Sequence, residues 1–60
     1  MRVFVEVAGV RITEVEVPSP EMAVVVGASM RVKHHDGVVA VEMPCGQVVA
    51  MDDVREELGW

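Results

Sequence analysis

Asp36-Gly37, set between Met30–His35 and Val38–Met43, is the pattern that most constrains this chain. An Asp-Gly pair flanked by apolar alternation is a strong short-range signal for a two-residue hairpin turn, because both residues tolerate the positive φ angles that match strand twist. Counting outward from that turn places His34 opposite Val39, Val32 opposite Val41 and Met30 opposite Met43. The alternate positions pair Lys33 with Ala40 and Arg31 with Glu42. A slip of one residue would exchange the apolar and polar faces, so the register is well specified. Ser29–Met51 therefore reads as three antiparallel strands joined by two tight turns.

Composition favours strands as well. Valine occurs sixteen times and methionine five, against one Leu, one Ile, one Phe, one Trp and no Tyr. Valine is stiff at χ1 and fits a pleated surface. It also fills little volume, so one thin sheet of valines has a shallow core. Sixty residues make one small domain, 1–60. A chain of that size buries only about 60% of the surface that its unfolded form exposes. Such chains are usually reinforced by disulfides, a metal or oligomerisation. The lone Cys45 excludes an internal disulfide, and a chain that is 52% apolar is too small to hide all its apolar surface. Self-association into a homo-oligomer is the physical expectation.

Ten acids against five bases give a net charge of −5. That balance argues against nucleic-acid binding, which depends on neutralising phosphates. No apolar run approaches the roughly 20 residues that span a bilayer, and the N-terminus alternates instead of forming a signal-peptide core. A single unpaired cysteine suits a reducing compartment. The expectation is a cytoplasmic protein with no membrane contact.

Taken in order, Arg2–Ala8 alternates, with Val3, Val5 and Val7 on one face and Phe4, Glu6 and Ala8 on the other. A tight turn at Ala8-Gly9 pairs Val7 with Val10, Glu6 with Arg11 and Val5 with Ile12. The apolar phase then shifts by one residue at Thr13-Glu14, as a β-bulge would produce. Pro18-Ser19-Pro20 ends this hairpin. Residues 19–29 read in two ways. Ser19-Pro20-Glu21 resembles a capped helix start, whereas Val24-Val25-Val26-Gly27 is a poor helix interior and a good buried strand. The strand reading, Met22–Ala28, is preferred.

Pro44-Cys45-Gly46 suits a three-residue hairpin loop that sets Glu42 opposite Val48 and Val41 opposite Val49. Asp53 and Glu56 form a capping box, Asp52 adds charge near the helix start, and Val54 and Leu58 give the helix an apolar stripe. Gly59 is a left-handed stop beyond which Trp60 can fold back on Val54. The fold expected is mainly β: a small antiparallel meander or SH3-like barrel of five to six strands with one short C-terminal helix. The alternative is a ββαβββ α+β arrangement with Ser19–Ser29 as the helix.

Candidate chemistry is sparse. His34 and His35 are adjacent, and adjacent strand residues point to opposite faces, so the pair does not chelate one ion. Three Cys and His residues in all, without paired spacing, make no zinc motif, and no cofactor is implied. Cys45 lies in a turn whose sequence neighbours include no cation to lower its pKa, and no third group orients a Cys–His pair. Neither serine sits in a nucleophile elbow, and no glycine-rich phosphate loop occurs. The chain reads as non-enzymatic. Arg31, Lys33 and His35 form the one basic stripe, on one face of the expected strand. Asp52, Asp53 and Glu56, with Arg55 between them and Trp60 beyond, form a charged C-terminal end. These eight residues are the candidate interaction residues.

Gly46-Gln47-Val48-Val49 followed by Val54-Arg55-Glu56-Glu57-Leu58-Gly59 resembles the strand-to-helix segment of AbrB-like swapped-hairpin transcription factors and antitoxins. Where that family has Ile-Pro before the helix and Lys-Glu at its start, this chain has Ala50-Met51 and Asp52-Asp53. The resemblance implies an intertwined dimer and a DNA-binding surface on which Arg55 alone matches a basic position. The leading expectation is a protein-interaction or assembly module that acts as a homo-oligomer with itself or an unknown protein partner. Two alternatives stand beside it: an AbrB-like DNA-binding regulator, and an acidic inhibitor of the phage or mobile-element kind that occupies a basic host protein.

Overall fold

The computed structural model describes every residue from Met1 to Trp60. Its elements run β1 (Arg2–Val7), β2 (Val10–Glu16), α1 (Pro20–Lys33), β3 (Val38–Glu42), β4 (Val48–Ala50) and α2 (Met51–Leu58). The strands form one antiparallel sheet in the order β2-β1-β3-β4, and α1 carries the chain across β1 from one edge towards the middle. The small antiparallel β-rich fold with a C-terminal helix is as the sequence suggested. The barrel and the five- or six-strand count are not: there are four strands and two helices. The ββαβββ alternative had the first helix in place but one strand too many.

That extra strand was Met30–His35, which is the last turn of α1 and its exit. Ser19 caps α1 by accepting a hydrogen bond from the Met22 N–H at 3.2 Å, Pro20 occupies the first turn, and Glu21 sits at the positive end of the helix dipole. Arg31 and Lys33 complement the other end. The valine run costs some helix propensity, but tertiary contact offsets it. Ala23, Val24, Gly27 and Met30 are buried at helical spacing. A Cβ on Gly27 would overlap the Met51 side chain, so its glycine permits the close approach of α1 and α2.

The Asp36-Gly37 hairpin and its register are therefore corrected. His34 caps the helix with its N–H on the Met30 carbonyl at 2.8 Å, and Gly37 N–H returns to the His34 carbonyl at 2.9 Å. The turn leads from a helix into β3, and Gly37 does not have a positive φ. It is small for another reason: a Cβ there would come within 2.6 Å of a Val5 methyl and 3.1 Å of the Glu6 carbonyl oxygen. Val41 and Val39, expected to face Val32 and His34, instead lie opposite Val3 and Val5 of β1, and Ala40, expected opposite Lys33, lies opposite Phe4; Met43 lies beyond the paired strand with its N–H on the Gln47 carbonyl. Glu42 lies opposite Arg2, not Arg31.

The other turns follow expectation more closely. Ala8 and Gly9 both take positive φ, 53° and 79°, and Val7–Val10 and Glu6–Arg11 pair as expected. The register shift falls at Ile12, slightly before Thr13-Glu14, so Val5 pairs with Thr13 and not with Ile12. The Pro44-Cys45-Gly46 loop closes with Gly46 at φ 93° and sets Glu42 opposite Val48 and Val41 opposite Val49. α2 starts three residues earlier than the Asp53–Glu56 capping box would place it. Ala50 is its N-cap and makes no side-chain hydrogen bond, so Asp52 and Asp53 complement the helix dipole without capping it. Gly59 ends it at φ 76°, and the Trp60 N–H reaches the Arg55 carbonyl at 2.9 Å. The indole, however, stays 57% exposed, so the ring is not packed away.

Val3 and Val5 of β1, Val39 and Val41 of β3, and the inner faces of both helices form the core. Both helices thus cover the same side of the sheet. The opposite side has no covering layer.

Candidate interaction surface

The outer face of the sheet, the free edge at β2 and the outer side of α1 are open to a partner; β4, the other edge strand, is only 3 residues long. Their chemistry differs.

The outer sheet face completes its own charge network. Arg11 lies 3.7 Å from the centroid of the Phe4 ring and shields it, leaving Phe4 2% exposed. Its Nη1 donates to Glu14 Oε1 at 2.8 Å and approaches Glu42 Oε1 at 3.5 Å. Arg2 lies between Glu16 at 3.3 Å and Glu42 at 3.6 Å, and the N-terminal amine adds a contact with Glu16 at 3.4 Å. The Arg11 hydrogen bond holds the Glu14 carboxyl below the usual carboxylate range, and the same bond raises Arg11 further. Charges arranged this way pair with each other, although Val38 and Val48, 67% and 52% exposed, share this face at β3 and β4.

The β2 edge shows Val10, Ile12 and Val15 partly exposed, at 61%, 46% and 38%. It is also blunted. A register shift interrupts it at Ile12, and Arg11, Glu14 and Glu16 are spaced along it. Bulges and charges are the usual devices that keep an edge strand from pairing with another chain.

The outer side of α1 has no such protection. Val25 is 57% exposed and Val32 83%, with exposed Ala28 and Ser29 between them. These four positions follow the i, i+3, i+4, i+7 spacing of a single helical stripe. Met22, 44% exposed, widens it towards the N-terminus. A helix apolar on its buried and outer sides alike has the composition of one covered on both. Beside the stripe, a groove of about 410 Å³ separates α1 from α2, with Val24, Gly27 and Met51 lining it and Arg31, Val32 and Arg55 around it.

The sequence candidates distribute unevenly over these surfaces. Arg31, Lys33 and His35 do not make a basic stripe, because Arg31 and Lys33 are helical and about 200° apart around the axis. His35 lies in the following loop. Arg31 Nη2 instead donates to Asp52 Oδ1 at 3.1 Å and ties the two helices together across the groove. Arg55 joins them there. Asp53, Glu56 and Trp60 are exposed on or just beyond α2. His34 is half-buried at the helix cap, and Cys45 is exposed in its turn. No three His, Cys, Asp or Glu side chains come together as a metal-binding group.

Sequence reading missed the outer stripe of α1. Its spacing is present in Val25, Ala28, Ser29 and Val32, but it emerges only once the segment is read with a period of 3.6. No helix is long and apolar enough to cross a membrane. No family model, curated protein or solved structure matches the chain.

Proposed function

We propose that this protein is a small non-enzymatic interaction module that works as a homo-oligomer. The observation that carries the reading is the outer side of α1, where Val25 and Val32 are exposed in a single stripe. The outer sheet face carries a salt-bridge network beside exposed Val38 and Val48, and the β2 edge carries a bulge and charges beside its exposed aliphatic residues. The chain is also small: its core holds ten buried residues, all of them valine, alanine or methionine. Burying further apolar surface between copies contributes stabilisation that a core of this size lacks, at about 25 cal/mol per Å².

Sedimentation velocity at micromolar concentration tests the reading. The expected result is a species at a multiple of 6.5 kDa. A single 6.5 kDa species from one to several hundred micromolar overturns it.

A second reading follows the AbrB-like resemblance, and the order β3, turn, β4, α2, Gly59 favours it, since that is the local order the resemblance requires. Its DNA contact would rest on Arg55, against a net charge of −5. Salt-sensitive binding to duplex DNA that is lost on Arg55→Ala is its signature, and absence of binding at low salt removes it.

A further inference from the structure

We propose that two copies associate through α1, the helices lying antiparallel about a two-fold axis that passes beside Ala28 and Ser29. The proposal deepens the homo-oligomer reading and rests on it. It specifies which face pairs, in which direction and with which charges.

The sizes along the stripe favour this arrangement. Its middle is Ala28 and Ser29, with Val25 and Val32 one turn to either side. Small residues at the crossing let two helices approach to the short end of the usual 8–10 Å. With the axis between positions 28 and 29, Val25 of each copy lies opposite Val32 of the other. This pairing covers the most exposed large apolar residue in the molecule, Val32 at 83%. The stripe runs on into the groove between α1 and α2, because Ala28 and Val32 line both. The groove therefore gives the opposing side chains room at the flank of the contact.

Charge selects the direction. Glu21 is in the first turn of α1, and Arg31 and Lys33 are in the last. Arg31 is held by Asp52 at 3.1 Å, whereas Lys33 is exposed and has no carboxylate within 4.0 Å. An antiparallel pair brings Glu21 of one copy to within about three residues, or about 4.5 Å along the axis, of Lys33 of the other. A lysine side chain spans that offset. A parallel pair would set Glu21 beside Glu21 and Lys33 beside Lys33. The helix dipoles favour the antiparallel direction as well.

Ser29→Cys in a Cys45→Ser background tests the contact, with Ile12→Cys in the same background as the comparison at the β2 edge. Under mild oxidation at micromolar concentration, the Ser29→Cys protein is expected to form a disulfide-linked dimer nearly quantitatively, and the Ile12→Cys protein little. Val32→Asp is expected to abolish the dimer while leaving circular dichroism helical and strand signals unchanged, since that side chain touches almost nothing in a single copy. Glu21→Lys and Lys33→Glu are each expected to weaken association about three- to tenfold, and the double variant to restore it. A dimer by mass that cross-links through position 12 and not 29, or that survives Val32→Asp, overturns the α1 pairing and keeps the oligomer. A monomer by mass overturns both.

Discussion

Arg11 holds more of the sheet's outer face than any other side chain. It lies against the Phe4 ring, donates to Glu14 and approaches Glu42, so one guanidinium shields an aromatic ring and links β2 to β3 over the strand between them. The Glu14 carboxyl is the group on which this arrangement depends for its pH sensitivity. Its pKa is depressed in the folded chain, first by the Arg11 hydrogen bond. A depressed folded pKa means that the stabilisation is present above the ordinary glutamate value, about 4.3, and is lost as pH falls through the folded value. Thermal unfolding followed between about pH 6 and pH 3 should show a midpoint that declines as the solution is acidified. Glu14→Gln should lower the midpoint at neutral pH and flatten the acid limb. An acid limb of unchanged steepness in that variant would place the sensitivity in other carboxylates. Phe4 was legible as an outward-facing residue of β1, but not as a buried one. Nothing in the alternation of Arg2–Ala8 says that a cation from the next strand will cover it.

α1 is the element on which sequence and structure part company, and the reason is physical. Sixteen valines bias every segment towards strand. In Val24–Gly27 that bias competes with Ser19-Pro20-Glu21, three residues that act only at the helix start. The start signal prevails because the segment gains a buried stripe, Ala23, Val24, Gly27 and Met30, and a second helix to pack against at Gly27 and Met51. Those gains are tertiary and do not show in local propensity. Asp36-Gly37 misled for a related reason. Gly37 is needed for close approach to Val5 and the Glu6 carbonyl, not for a left-handed turn. Where the turn chemistry was itself the cause, at Ala8-Gly9, Pro44-Cys45-Gly46 and Gly59, the sequence located the turns correctly. If the cap is decisive, Ser19→Ala should cost about 1 kcal/mol. Urea unfolding should show it as a lower midpoint with unchanged slope, and an unchanged midpoint would mean that packing alone holds the start of α1.

At the scale of the whole molecule, the sequence chemistry treats the outer surfaces of the two layers unequally. The bare sheet face carries its own ion pairs beside exposed Val38 and Val48, the β2 edge is bent and charged, and α2 turns Asp53 and Glu56 to solvent. α1 presents Val25, Ala28 and Val32 in one line, with Val32 the most exposed large apolar residue of the molecule at 83%. A chain with so few large residues gains disproportionately from covering that line. Folding and association should then be linked, because anything that binds only the folded chain stabilises it by mass action, a second copy included. The thermal midpoint of the native chain should rise with its concentration, by about 3–6 °C for each tenfold increase if a dimer unfolds directly to two chains. The midpoint of Val32→Asp should be independent of concentration and lower than that of the parent at every concentration above its dissociation constant. Differential scanning calorimetry across two decades of concentration separates the cases. A native midpoint that does not move with concentration means that the helix stripe is tolerated by an autonomous monomer, and that four strands and two helices suffice without a partner.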